Sequence, residues 1–124
     1  MEKNKEKMFK KLGKIFQRAR KKIYKDVSLR EFSKSIGMTH AGIKNIENGK
    51  GEPRKETLLK LAEKLELDPE VILAKAAKLD NEIENLISEK SDTVPQFLRT
   101  AKNLTDEQWK EITRQAKKMD KDNS

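Results

Sequence analysis

The sequence predicts an all-α protein. In several segments apolar residues recur three and four positions apart, which is the spacing of residues that share one face of an α-helix. Ser28, Thr39 and Thr105 precede three of these segments, where a side-chain oxygen can cap the first helical turn. Gly37 and Gly49 follow two of them, where a helix commonly ends in a left-handed residue. We therefore expect five short helices followed by a small helical extension.

The first predicted helix runs from about Met8 to Tyr24. Its apolar stripe consists of Leu12, Ile15, Phe16, Ala19 and Ile23. Its other face carries the basic residues Lys10, Lys11, Lys14, Arg18, Lys21 and Lys22. Such a face is either only solvated or lies near phosphate groups. The preceding segment Met1–Lys7 is highly charged, and we expect it to be frayed.

Two short helices joined by a tight turn are predicted within Val27–Gly49, whose sequence is VSLREFSKSIGMTHAGIKNIENG. Ser28 and Glu31 have the spacing of a capping box at the start of the first helix. Gly37 can adopt the left-handed conformation that ends this helix, and Thr39 can cap the next one. A helix of about seven residues, a turn of three or four and a helix of about nine form the helix-turn-helix plan.

The outward face of the second of these helices is mostly small or polar. Ile43 and Ile46 mark its inward face, and the outward face consists of His40, Ala41, Lys44, Asn45 and Asn48. A merely solvated helix more often carries pairs of Glu and Lys at such positions. Two interpretations are open: a helix that enters the major groove of DNA, or an ordinary two-helix corner with a polar outer face.

The rest of the chain also has helical patterns. A fourth helix is predicted from about Lys55 to Leu65, and Asp68-Pro69 starts a fifth that ends near Leu79. Residues 80–124 contain three further apolar stripes. The first two are separated by a break at Ser91-Asp92, and Thr105 begins the third with Gln108 as its capping-box partner.

Composition limits the classes of function. The chain has 124 residues and no Cys, so disulfides and thiolate metal sites are excluded. It lacks a run of about 20 apolar residues and the apolar core of a signal peptide, which predicts a cytoplasmic protein with no membrane span. One His, no Gly-rich phosphate loop and no clustered carboxylates argue against an enzyme, a metal site or a bound cofactor.

The positive charge is concentrated in the first half of the chain. Residues 1–67 hold 19 Lys and Arg against 9 Asp and Glu, whereas residues 68–124 hold 10 against 12, and the whole chain carries +8. A basic segment attracts the phosphates of nucleic acid through its long-range field and through counterion release. The acidic second half does not help this attraction and is expected to have another task.

The helix-turn-helix residues resemble those of the Cro/C1 or Xre family of bacterial transcription regulators, of the phage-repressor type. Gly37 in the turn, the IENGK ending, the break at Pro53 and the leucines that follow carry the resemblance. It continues upstream through LGKIFQRARKK and downstream through GKGEPRKETLLKLAEKLELDPEVIL, and covers about 12–73. It implies a five-helix lambda-repressor-like DNA-binding domain over 1–79 and a helical oligomerisation or regulatory extension over 80–124.

The resemblance also implies roles for individual residues. The positions that usually contact base edges are occupied by His40, Ala41 and Lys44. Lysine can donate to guanine, and an alanine methyl group can contact the thymine methyl group. The candidates for phosphate contacts are Thr39, Asn45, Lys50, Arg54 and Arg30. The helix N-terminus itself favours an anion.

Two features depart from the family pattern. Leu29 occupies the position of a Gln that usually braces the recognition helix and contacts phosphate. Since Leu29 has no polar group, we expect it to pack rather than to make this contact. The segment KKIYKDV is about two residues longer than usual, which is consistent with an extended first helix.

The short recognition helix argues for a dimer. A helix of nine residues is about 13 Å long and spans four or five base pairs. Each good base contact discriminates by about 1–3 kcal/mol, whereas specific binding exceeds non-specific binding by about 4–10 kcal/mol. Two copies on half-sites about one DNA turn apart meet this requirement. We assign self-association to the C-terminal helices, through Phe97, Leu98, Trp109 and Ile112.

The expected protein is therefore a nucleoid-associated homodimeric repressor of a palindromic double-stranded DNA operator. An antitoxin whose C-terminal helices bind a toxin is the alternative. The segment VPQFLRTAKNLTDEQW also resembles the C-terminal extensions of Xre-type repressors that metallopeptidases cleave, with Phe97-Leu98-Arg99 as the candidate cut region. An ordinary core helix explains the same segment. RNA binding is disfavoured because the sequence offers no evident aromatic platform for bases.

Overall fold

The computed structural model describes residues 2–124, with side chains from residue 3 onward. The regular secondary structure in this part of the chain is entirely helical, which confirms the predicted all-α class. They are α1 (Glu2–Ile23), α2 (Leu29–Ser35), α3 (His40–Glu47), α4 (Lys55–Lys64), α5 (Pro69–Lys75), α6 (Asn81–Glu89), α7 (Val94–Ala101) and α8 (Asp106–Asp122). They form two compact units, of which the first ends at Asp80 and the second is Asn81–Ser124. No helix among the described residues is long and apolar enough to span a membrane.

Helix α1 is longer at its start than predicted. The expectation of a frayed segment before Met8 is wrong for the described residues, because the helix begins at Glu2; Met1 lies outside the described residues. Phe9 is only 6% exposed and belongs to the core, with Met8 packed beside it, so core contacts support the helix near this end, whereas residues 3–7 are exposed. At the other end, Ile23 is exposed rather than part of the apolar stripe.

Only the first three residues of the segment KKIYKDV belong to α1, which ends at Ile23. Tyr24 leaves the helix and packs its ring against Phe32 of α2, with centroids 5.3 Å apart. The Tyr24 hydroxyl donates to the main-chain oxygen of Lys64 at 3.1 Å. The longer connection therefore attaches the end of α1 to both α2 and α4.

The turn between α2 and α3 follows the local signals in the sequence. The hydroxyl of Ser28 accepts from the backbone N–H of Glu31 at 3.1 Å, so Ser28 caps α2. Thr39 caps α3 in the same way, accepting from Gly42 at 3.0 Å. Gly37 has a φ of +69°, the left-handed conformation predicted for the turn.

The core of the first unit is built from the inward faces of α1–α5. Its buried side chains are Phe9, Leu12, Phe16, Phe32, Ile43, Leu58, Leu61, Ala62, Leu65, Ile72, Leu73 and Ala76. Leu29 packs against this cluster, as expected from its lack of a polar group. Helix α5 ends at Lys75, earlier than the predicted Leu79, because Ala77 adopts a left-handed φ of 54°.

The second unit has little interior of its own. Among residues 81–124, all of which the structure describes, Ala101 is the only buried residue. The predicted break between α6 and α7 is present, and Thr105 and Gln108 form the predicted capping box of α8. Phe97 and Trp109 make an edge-to-face contact with centroids 5.9 Å apart. The large apolar side chains left exposed are Ile83, Leu86, Phe97, Leu98 and Met119.

Candidate nucleic-acid interface

Helix α3 separates an inward face from an outward face, as its sequence period requires. Ile43 is 1% exposed and fixes the helix on the core, with Ile46 partly buried beside it. The predicted base-contacting residues on the other face, His40, Ala41 and Lys44, are all exposed. The structure therefore leaves these three side chains on one solvent-facing surface of a helix that is held from behind.

The predicted phosphate-contacting residues are exposed as well. Asn45 lies on α3, Lys50 and Arg54 flank the loop that follows it, and Arg30 lies in the first turn of α2. Arg54 is the N-cap residue of α4, but its side chain makes no capping hydrogen bond. Its guanidinium therefore has no role in capping that would compete with binding an anion.

The hydroxyl of Thr39 can cap α3 and donate to a phosphate at the same time. Its Oγ1 accepts from the backbone N–H of Gly42, which uses an acceptor site of the oxygen. A threonine hydroxyl also has one O–H donor, and that donor can turn toward a phosphate oxygen. The first turn of α3 contains no acidic residue, so its positive end is not neutralised locally.

An open cavity between α2 and the start of α3 brings separate candidates together. Its lining includes Arg30 and Lys34 of α2 and His40 of α3. Arg30 is predicted to contact phosphate and His40 a base edge, and Lys34 adds a further basic side chain beside them. The cavity places these three basic or titratable side chains around one surface depression.

A buried ion pair fixes the far end of α3, and sequence analysis missed it. Arg20 of α1 donates to the carboxylate of Glu47 through Nε at 2.7 Å and through Nη2 at 2.9 Å. The hydrogen bond with Glu47 raises the pKa of Arg20 above its ordinary value, against the opposing effect of burial. The carboxylate of Glu47 is therefore a buried partner of an arginine and not a solvated surface group.

The helical period contained a signal for this pair. Arg20 follows Phe16 by four residues, so it continues the buried stripe of α1. Glu47 follows Ile43 by four residues and continues the buried face of α3. Two opposite charges placed on inward stripes indicate a buried pair, because an unpaired charge in a core is very costly.

Helices α1 and α3 also approach each other very closely. A Cβ atom added at Gly13 would lie 2.5 Å from the main-chain oxygens of both Ile46 and Glu47. A Cβ atom added at Gly49, whose φ is +74°, would lie 2.6 Å from Cα of Lys10. Glycine at these two positions allows the end of α3 and its following turn to rest directly on α1.

One comparison with known proteins agrees with this geometry. Residues 17–72 match a family model described as helix-turn-helix, which spans from within α1 to within α5. Neither the comparison with curated proteins nor that with solved structures found a match. Residues 17–72, with α2 and α3 joined at Gly37, are therefore similar to helix-turn-helix domains of the Cro/C1 (Xre-like) type, which supports a role in binding DNA.

Proposed function

We propose that the chain is a sequence-specific repressor that binds a palindromic operator as a dimer. The observation that carries the proposal is the outward face of α3, where His40, Ala41 and Lys44 are exposed while Ile43 holds the helix on the core. In the major groove, side chains of this kind can discriminate bases by hydrogen bonds and methyl contacts. The helix length limits each copy to a half-site of four or five base pairs.

Different residues serve recognition and positioning in this proposal. Lys44 donates to a base edge and contributes sequence preference. Thr39, Asn45, Lys50, Arg54 and Arg30 contact phosphates, which position a protein on DNA without specifying a sequence. The phosphate candidates lie on both sides of the base-contacting residues along the chain, so they can fix α3 from both ends.

Dimerisation through the second unit is supported by its exposed apolar surface. Phe97 is 41% and Leu98 49% exposed, and Ala101 is the only buried residue in 81–124. A segment of this size rarely buries enough surface to be stable by itself. A second copy would cover these side chains together with the half-buried Trp109 and Ile112. The dimer would then present two α3 helices, one to each half of a palindromic site.

Binding measurements on operator and random DNA test the assignment of residues. An operator is first selected from a library of random duplexes with the full-length protein. Lys44→Ala is expected to weaken operator binding by about 1–3 kcal/mol per half-site and to relax the base preference at one position. Arg54→Ala is expected to weaken operator and random DNA alike and to flatten the salt dependence.

The exposed Lys60 of α4 supplies a matched control, because Lys60→Ala removes the same charge outside the proposed interface. Its binding to both duplexes is expected to stay close to that of the unsubstituted protein. The residue roles are wrong if Lys44→Ala and Arg54→Ala change operator and random binding by the same factors. Absence of any preference for the selected operator would contradict the repressor proposal itself.

Sedimentation tests the dimer. The full chain is expected to be dimeric, and a chain that ends at Asp80 is expected to be monomeric while it retains the core of the first unit. Equal dimerisation of the two proteins would overturn the assignment of the second unit. Repression is tested separately, by a reporter gene placed under the selected operator.

The same apolar surface favours one alternative function. Exposed Phe97 and Leu98 fit a toxin as well as a second copy of the chain, and a stable complex with the product of an adjacent gene would support an antitoxin. A regulatory metallopeptidase is a further candidate partner. Because Phe97-Leu98-Arg99 lies inside α7, cleavage there would require the helix to unwind. Mass spectrometry after incubation with a neighbouring peptidase tests this.

A further inference from the structure

A stripe of five cations runs along the solvent-facing side of α1. It consists of Lys7, Lys10, Lys14, Arg18 and Lys21, which we call the basic stripe. At 100° per residue, these positions fall within a sector of about 80° on the helix surface. The buried residues Leu12, Phe16 and Arg20 lie on the opposite side of the helix. At 1.5 Å per residue the stripe is about 21 Å long.

The basic stripe differs from an ordinary solvated face. Between Lys7 and Ile23, α1 contains no acidic residue, and no side chain of the stripe has an ion-pair or hydrogen-bond partner among the described residues. Helix α8 shows the ordinary pattern in the same chain, because Lys110 pairs with Glu107 and Arg114 with Glu111. Like charges three and four residues apart destabilise a helix. Glu6, four residues before Lys10, is the nearest acidic residue along α1, and the stripe from Lys14 onward has no acidic residue three or four positions away. The stripe therefore suits an external polyanion.

The position of the stripe connects it with the proposed DNA contacts. Gly49, directly before the phosphate candidate Lys50, packs against the backbone and side chain of Lys10. Lys10 is the second residue of the basic stripe, so this part of the stripe lies beside the loop that follows α3. Cations can thus continue from Lys50 on this loop to Lys14 and Arg18 on α1. If Lys50 contacts phosphate as proposed above, the phosphate backbone of a duplex bound on α3 lies next to that loop.

We propose that the basic stripe binds the phosphate backbone of the duplex that α3 contacts, and extends the electrostatic footprint beyond the half-site. This inference rests on the proposed function, because α3 determines which duplex lies beside the stripe. The stripe contributes affinity and salt dependence equally for all sequences and contributes no base preference. It raises non-specific affinity, so the protein can remain on DNA while it searches for its operator.

A charge-neutralised variant tests the stripe. Lys7, Lys14 and Lys21 are replaced together by Gln, which has a helix propensity similar to that of Lys. The dissociation constant of the full-length protein is measured over a range of salt on a 40-base-pair random duplex and on the selected operator with flanking DNA. Each lost phosphate contact lowers the slope of log K against log salt by about 0.9. The triple variant is therefore expected to lose about two to three units of slope per bound protomer on both duplexes.

Matched variants separate local contact from net charge. Gln at Lys90, Lys118 and Lys121, three exposed lysines of the second unit, changes the net charge equally and is expected to leave the slope unchanged. Arg at Lys7, Lys14 and Lys21 keeps the charge and is expected to retain the slope. Far-UV circular dichroism verifies that each variant is folded. The proposal is overturned if the slopes of log K against log salt for the two neutralised triple variants differ by less than about 0.9, the contribution of one phosphate contact.

Different measurements would contradict the basic stripe and the proposed function. The triple variant is expected to keep the ratio of operator to random affinity, which Lys44→Ala is expected to reduce. A normal ratio with an unchanged salt slope would contradict only the stripe. If no protein, including the unsubstituted chain, binds the operator more tightly than random DNA, the repressor proposal is contradicted instead.

Discussion

Arg20, in the last turn of α1, forms a bidentate ion pair with Glu47, the last residue of α3. Nε and Nη2 of Arg20 lie 2.7 and 2.9 Å from the two carboxylate oxygens. The two side chains are only 11% and 6% exposed. Because Ile43 and Glu47 lie on the same face of α3, the pair helps to determine which face of this helix remains outward. Packing and electrostatics thus set the orientation of the candidate interface together.

Removal of either partner of this pair is expected to be costly. Glu47→Ala leaves the guanidinium of Arg20 buried and unpaired, so the free energy of unfolding is expected to fall by about 3–5 kcal/mol. A guanidinium stays charged throughout the working pH range even without a partner, so deprotonation cannot relieve the penalty. Urea denaturation followed by far-UV circular dichroism measures the loss.

The double variant Arg20→Met with Glu47→Leu is the control, since it removes both charges and retains apolar volume. It is expected to recover most of the lost stability. A loss below about 1 kcal/mol in Glu47→Ala would contradict the burial of the pair.

Substitution of Gly13 or of Gly37 by alanine is expected to lower the stability of the protein, for different physical reasons. Within an ordinary helix, Gly→Ala stabilises by about 1 kcal/mol, but a Cβ at Gly13 would lie 2.5 Å from two main-chain oxygens of α3. Gly13→Ala is therefore expected to destabilise by about 1–3 kcal/mol and to weaken DNA binding by displacing α3. Gly37 has open space around it and a left-handed φ, so Gly37→Ala costs about 1 kcal/mol through strain alone.

Thermal unfolding and DNA affinity measure the two glycine variants side by side. Gly37→Asn separates strain from sterics, because Asn tolerates the left-handed conformation better than Ala does. A stabilised Gly13→Ala variant would contradict the close crossing of α1 and α3.

Local sequence signals correctly predicted where α2 ends and where α2 and α3 begin. Ser28, Thr39 and Gly37 lie at the ends of helices, where a side-chain cap or a left-handed residue depends on only three or four neighbours. The exposure of Lys44 was predictable for a similar reason. Once α3 is assigned and Ile43 is placed inward, the helical period alone decides which residues face outward.

Features that depend on distant partners were not predicted. The start of α1 before Met8 is supported by the burial of Phe9, and sequence analysis judged this segment by its charge alone. Tyr24 was placed within the first helix, but its contacts with Phe32 and Lys64 come from other helices. The partner of Arg20 is 27 residues away in sequence, so no local rule assigns it. Tertiary packing decided each of these cases.

Substitutions at Thr39 can separate helix capping from DNA binding. Thr39→Asp keeps a good N-cap and adds a negative charge at the positive end of α3, so stability is expected to stay equal or to rise slightly. The same carboxylate repels phosphate, so affinity for all DNA sequences is expected to fall. Thr39→Ser keeps both functions, and Thr39→Ala loses about 1 kcal/mol of stability. Unchanged DNA affinity in Thr39→Asp would show that no phosphate lies near this residue.

The exposed apolar surface of the second unit leads to a final prediction, about self-association. Leu98 is 49% exposed within one chain, so Leu98→Glu is expected to leave the first unit folded. In a dimer that buries this side chain, the added carboxylate would be desolvated without a partner, which strongly opposes association. Sedimentation equilibrium is therefore expected to show a monomer, with operator affinity reduced to that of a single half-site. The exposed Gln96, one residue before Phe97, provides the control Gln96→Glu, which adds the same charge and is expected to stay dimeric. A dimeric Leu98→Glu protein would exclude Leu98 from the subunit interface.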